Sequence, residues 1–146
     1  MSRLKKEFYR FEERGDGKEF EEFLAHLFKA CGWKVTTPTP STNASDQGID
    51  LILDSKVAVQ AKHYTNSTGN KAVQEVMSGL IYWKKHGFPH LKWKAVVTTS
   101  YFTHQAIELA KSGNVVLKEG IDIEELLNGK LSKKWILKMP KRFLEE

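Results

Sequence analysis

The chain has 146 residues, 40% hydrophobic and 28% charged, which suits one globular domain with a sizeable core and excludes a disordered chain. Its single cysteine, Cys31, excludes a disulfide framework and a cysteine-built zinc site, and suits a reducing compartment. The formal net charge of +5 is unevenly spread: Lys84, Lys85, Lys92 and Lys94 fall in the acid-free interval between Glu75 and Glu108, and residues 130–146 hold six basic and two acidic residues.

Clustered positive charge is the footprint of a polyanion partner, although a solvated basic surface has the same composition. No apolar run approaches the roughly 18 residues of a membrane span. The first 20 residues, MSRLKKEFYRFEERGDGKEF, contain no apolar stretch of the kind a signal peptide needs. The expectation is a cytoplasmic protein with no membrane association.

Residues 1–16 read as a charged helical lead-in, 17–129 as the folded domain and 130–146 as a basic extension. The first strong helix runs from about Lys18 to Cys31, with Asp16 and Glu19 spaced as a cap. Phe20, Phe23, Leu24, Leu27, Phe28 and Cys31 form one buried stripe, and Gly32 ends the helix. At about 100° per residue, Glu19 and Glu22 point to water, whereas Glu21 lies on the shoulder of the stripe. WKVTTPT reads as a strand, and PTPSTNAS as a loop. Should the polyanion partner be DNA, residues 38–47 are the expected DNA-facing element.

GIDLILD and KVAVQAKHY read as a hairpin turning through Asp54 to Lys56. A helix follows over about Lys71–Lys85, with Val73, Val76, Met77, Leu80 and Ile81 inward. WKAVVTTS reads as a central strand buried on both faces. THQAIELAKSG is a helix and NVVLKEG a short strand. DIEELLNG is a last helix capped by Asp122 and stopped by Gly129. The order is αβββαβαβα, an α/β fold with a mixed sheet and helices on its faces.

The hairpin carries the chemistry. Strand side chains alternate faces, so Val57, Val59 and Ala61 oppose Ala58, Gln60 and Lys62. On the partner strand Ile49, Leu51 and Leu53 share one face, and Asp50 and Ile52 the other. Placing the apolar sets together fixes an odd loop, in which Leu53 faces Val57 and Asp50 faces Gln60. Asp50, Gln60 and Lys62 thereby converge. Two readings fit the pattern: an ordinary cross-strand polar pair at a sheet edge, or a recessed site with apolar Ile52, Ala58 and Val59 as neighbours. Glu21 is the fourth candidate, or else a boundary carboxylate in a surface pair.

GKEFEEFLAHLFKACGWKV, SDQGIDLIL, VAVQAKHY, AVQEV and AVVTTSYFTHQAIELA, in this order over about residues 17–128, resemble the catalytic domain of Mrr-type restriction endonucleases. These are members of the PD-(D/E)xK nuclease superfamily, here in a QxK variant. The resemblance implies a restriction-endonuclease-like fold and a metal-dependent endonuclease. Asp50 would be the main metal ligand, Gln60 would take the place of the usual Asp or Glu, Lys62 would be the catalytic lysine, and Glu21 would be a helix-borne acid near the metal. Gln74 matches the glutamine of a QxxxY motif, with Ser78 in the tyrosine position. Ile49 stands where the superfamily usually has proline, and Gln47 where many Mrr-like sequences have glycine.

The residue types suit this chemistry. Phosphodiester hydrolysis needs charge neutralised on the transferring phosphate and water held in line. A hard cation such as Mg²⁺, with Mn²⁺ as a substitute, takes oxygen ligands. Asp50 and Glu21 offer carboxylates and Gln60 a neutral carbonyl oxygen. Beside a phosphate Lys62 favours its charged form, which suits orientation and electrostatics over a general-base role.

The expected partner is double-stranded DNA, cut by a homodimer because two strands need two active sites. Lys84, Lys85, Lys92, Lys94 and Gln74 are the expected DNA contacts, YWKKHGFPHLKWK being either a backbone-tracking segment or a helix end with its tryptophans in the core. The same fold admits a junction resolvase or homing-type nuclease, or a binding module that does not cut. The resemblance places the protein in a bacterium or on a phage. His26, His63, His86, His90 and His104 lack zinc-binding spacing, and no phosphate-binding glycine loop is present.

Overall fold

The computed structural model describes residues 2–38 and 47–145, and for residues 12–14 the backbone alone. The expected DNA-facing loop therefore lies mostly outside the described residues.

Capping starts the helices where the sequence provides acceptors. Ser2 accepts from the Lys5 amide at the head of α1 (Arg3–Arg14), and Asp16 accepts from the Glu19 amide at the head of α2 (Gly17–Ala30). A two-residue strand, β1 (Val35–Thr36), precedes the hairpin of β2 (Leu51–Leu53) and β3 (Val57–Lys62). The remaining elements are α3 (Asn70–Lys85), β4 (Trp93–Thr98), α4 (His104–Gly113), β5 (Val115–Lys118), α5 (Gly120–Asn128), a 3₁₀ turn over Lys133–Leu137, and α6 (Lys141–Leu144).

The five strands lie in sequence order, β1-β2-β3-β4-β5. The first three are antiparallel, while β3, β4 and β5 run parallel. The mixed sheet is the expected one, with β3 in the middle and β4 between two parallel neighbours.

Each face of the sheet has its own core. On one, Leu51, Leu53, Val57, Val59, Ala95 and Val97 pack under Phe20, Phe23, Leu24 and Leu27 of α2, with Phe8 and Phe11 of α1 and Ile136 of the 3₁₀ turn in the same cluster. On the other, Ile52, Ala58, Val96 and Leu117 pack under Val73, Val76 and Trp83 of α3, Ala106 and Ala110 of α4, and Phe143 of α6. The aromatic side chains of α1 and α2 interlock, with Phe8 and Phe23 5.3 Å apart between ring centroids and Phe11 and Phe20 5.2 Å apart.

Several local expectations differ from the structure. Ile49 joins Ile52 in the α3-side cluster rather than Leu51 and Leu53. The cause is the turn before it: Gln47 and Gly48 have φ of 58° and 77°, and β2 begins only at Leu51, so strict alternation does not reach back to Ile49. Ile81 is 59% exposed. It lies about 150° around α3 from the Val76–Trp83 stripe, because the inward residues after Val76 are Gly79 and Trp83. The helix expected over DIEELLNG is α5, which starts at Gly120, two residues before the expected cap. Glu119 caps it, and Asp122 returns a bond to the Glu119 amide.

Candidate active site

The hairpin forms in the expected register. Leu53 pairs with Val57, Ile52 with Ala58 and Leu51 with Val59, and the paired ladder ends there, one residue short of Asp50. The turn has Asp54 and Ser55 at φ of 49° and 57°, with the Lys56 amide bonded to the Leu53 carbonyl. Asp54 is held on both sides: it accepts from the Lys34 amide at 2.8 Å and pairs with Lys133 Nζ at 2.7 Å. Those bonds, Lys133 first, hold its carboxyl below the ordinary range.

At the other end of the hairpin the polar residues meet. The Asp50 amide bonds to the Val59 carbonyl, and Asp50 Oδ2 accepts from the Ala61 amide at 2.7 Å. The Asp50 carboxylate is thus fixed between the β3 positions that carry Gln60 and Lys62. Those two side chains point to the α3 face. There Gln60 Nε2 donates to Glu75 Oε2 at 2.8 Å, and Lys62 Nζ lies 3.7 Å from the same oxygen. Lys62 also sits 5.9 Å from the Tyr64 ring centroid. Gln60 is 3% exposed, and its Oε1 has no hydrogen-bond partner among the described residues.

Glu75 was not among the residues expected from sequence. It reaches the site because α3 lies directly on the turn that presents Asp50. A Cβ on Gly48 would come within 2.7 Å of the Glu75 carbonyl, and one on Gly79 would overlap the Gln47 carbonyl and Ile49. Only hydrogen at those two positions permits this approach. The signal was present in the helix: Glu75 lies about 90° from the buried stripe, on its shoulder, whereas Gln74 lies nearly opposite. Gln74 is exposed and borders a groove with Gln47, Gly48, Lys71, Glu75 and Ser78.

Glu21 is half-buried on α2, which covers the opposite face of the sheet. It is nonetheless at the correct end. The ring of Phe20, its neighbour, lies 6.2 Å from that of His63, next to Lys62. His63 is fixed there by bonds to Thr99 Oγ1 (2.9 Å) and the Gly15 carbonyl (3.1 Å). Beside Lys62 in register, Thr98 forms a closed hydroxyl trio with Thr68 and Ser100. The cluster therefore occupies the carboxyl end of the parallel strands, where open α/β sheets bind ligands.

The expected DNA-contacting lysines lie elsewhere. Lys94 pairs with Ala58, four residues before Lys62 and so about 13 Å along β3. The Lys92 amide bonds to the Lys56 carbonyl, at the hairpin-turn end. Lys84 and Lys85 close the far end of α3. Cys31 is half-buried at the end of α2, and burial pushes its thiol up, which disfavours a reactive thiolate.

Residues 13–127 match the Mrr catalytic-domain family model, described as a restriction endonuclease. The chain belongs to that family. No curated protein gives a significant match. Two solved structures share the Mrr-like fold. A protein of unknown function, AF1548, superposes with a TM-score of 0.57 at 18% identity, covering 80% of this chain and 62% of its own. The DNA modification-dependent restriction endonuclease AspBHI superposes with a TM-score of 0.53 at 22% identity, covering 91% of this chain and 36% of its own. The chain thus spans about three-fifths of the first protein and about a third of the second. In an Mrr-family domain, the cluster of Asp50, Gln60 and Lys62 is the natural candidate for the nuclease centre.

Proposed function

We propose that the protein is a metal-dependent endonuclease that hydrolyses phosphodiester bonds in double-stranded DNA, with Asp50, Gln60 and Lys62 at its centre and Glu21 at the rim. The observation that carries this reading is the convergence of a carboxylate, a buried amide and an ammonium at the carboxyl end of β3 in a domain of a nuclease family.

The donors fit a hard divalent cation such as Mg²⁺ or Mn²⁺. Asp50 offers an anionic oxygen and Gln60 Oε1 a neutral, buried one with no partner among the described residues. Among the described residues no three of His, Cys, Asp and Glu cluster as a metal site. Bound there, the cation supplies Lewis acidity and neutralises charge on the scissile phosphate. The protein's own groups do the rest. The Ala61 amide orients Asp50. Lys62 places an ammonium where it can orient water and offset charge on the phosphate oxygens.

DNA lying along α3 would meet Lys62 and Lys71 near the scissile phosphate. It would reach Lys84 and Lys85 about 20 Å beyond Lys71 along the helix. Two strands require two such centres, so a homodimer is the working assembly. The test is incubation of supercoiled plasmid with Mg²⁺, Mn²⁺ or EDTA, alongside linear and branched DNA. Nicking or linearisation that EDTA stops supports the reading. A strong preference for branched DNA would redirect it to a junction-type nuclease, and DNA binding without cleavage in either metal would make the protein a binding module.

A further inference from the structure

We propose that Glu75 is a positioning residue: it sets which end of the Gln60 amide faces the metal position and tethers the Lys62 ammonium beside it. The inference rests on the nuclease reading given above and assigns a role to a residue outside the Asp-Gln-Lys pattern.

A glutamine side chain presents a donor and an acceptor of nearly equal size, and its surroundings decide which points where. Ionised Glu75 only accepts. At 2.8 Å from the Gln60 amide group it can face Nε2 and not Oε1, because two acceptors at that distance would repel. The carbonyl oxygen is thereby turned away from α3 and left buried, with no partner among the described residues. That oxygen is the one atom of Gln60 a cation can use. The same Glu75 oxygen lies 3.7 Å from Lys62 Nζ, so one carboxylate governs both β3 side chains. Its backbone abuts Gly48, in the turn that leads to Asp50. A carboxylate at position 60 would repel Glu75, whereas an amide there lets the two pack together.

The experiment is direct titration of the full chain with Mn²⁺, by calorimetry and by the electron-spin signal of free Mn²⁺, in the absence of DNA. Glu75→Met keeps length and helix propensity but removes the acceptor. Glu75→Gln keeps an oxygen that can accept from Gln60 Nε2. Glu108→Gln, on the exposed side of α4, is the control. Partners that orient metal ligands typically change affinity by about 10–100-fold. Glu75→Met should therefore weaken Mn²⁺ binding at least about tenfold, and Glu75→Gln should stay within about threefold of wild type.

The Gln60 side-chain amide resonances should be protected from solvent exchange in the wild type, where the amide is buried and bonded to Glu75, and should lose that protection in Glu75→Met. This second measurement also serves where the variant is too unstable to titrate, because it can be repeated with Glu75→Gln, which should keep the protection. Equal losses in Met and Gln variants, or wild-type affinity in both, would overturn the positioning role while leaving the nuclease reading intact. A wild-type protein that binds no Mn²⁺ would overturn the metal-dependent reading, and the inference with it.

Discussion

That Asp50 converges on the Gln60 and Lys62 end of β3 was legible because hydrophobic patterning sets the register of the hairpin. Leu51, Leu53, Val57 and Val59 share one core because Leu53 pairs with Val57 and Leu51 with Val59, and the Ala61 amide bond then brings the Asp50 carboxylate to the Gln60 and Lys62 end of β3. Glu75 was not legible from the motif, because its place depends on a helix packing on a turn 27 residues earlier, through Gly48 and Gly79. Lys118 was equally hidden. It is 4% exposed, with Nζ 4.6 Å from the Trp135 ring centroid. Desolvation lowers its pKa from 10.5 to about 8. Between those values the unfolded chain binds more protons than the folded one, so Lys118 makes stability rise with pH from about 8 to 10.5. Below pH 8 the buried charge costs stability. Lys118→Met is expected to raise the thermal midpoint at pH 7, with the gain shrinking toward pH 10.5. A gain independent of pH would show that the charge is not the cause.

Among elements, the strong amphipathic α2 and the hairpin matched their sequence patterns closely, since period and caps agreed locally. α3 was found but rotated in detail. Its inward face runs through Ala72, Val76, Gly79 and Trp83, and the small residues let it sit close to the sheet. Gly79→Ala tests that closeness. Helix propensity favours the change by about 1 kcal/mol. Overpacking against Gln47 and Ile49 opposes it by about 1–3 kcal/mol. Net destabilisation by urea unfolding is expected, with weaker Mn²⁺ binding as Glu75 shifts. A net gain in stability with unchanged binding would mean that α3 is not held against the turn. The start of α5 was missed because the capping box there begins with Glu119, a less common cap than the Asp122 it exchanges bonds with.

For the whole molecule, both ends of the chain contribute to the core. Phe8 and Phe11 of α1 are buried, as are Ile136 and Phe143 near the other terminus. The sequence marked these segments only as a charged helical lead-in and a basic extension. Arg142 fastens the tail, donating to Asp122 Oδ1 and Oδ2 at 2.7 Å and to Glu119 Oε1 at 2.8 Å, and those carboxylates keep its guanidinium charged. Arg142→Ala leaves two buried acids without their cation. A loss of about 2 kcal/mol or more is expected in urea unfolding at pH 7. No loss would show the tail to be dispensable.

The basic surface makes a separate prediction. If Lys84 and Lys85 each contact a DNA phosphate, replacing both with alanine should lower the salt slope of binding by about 2. An unchanged slope would place the DNA path elsewhere.

The nuclease proposal places the hydrolysis of DNA at Asp50 and Lys62. Its most direct test is cleavage of supercoiled plasmid with Mn²⁺, comparing wild type with Asp50→Ala and Lys62→Ala at equal DNA binding. Wild type should cleave the plasmid, and each variant should lose at least about a hundredfold. Cleavage that survives both substitutions would contradict it.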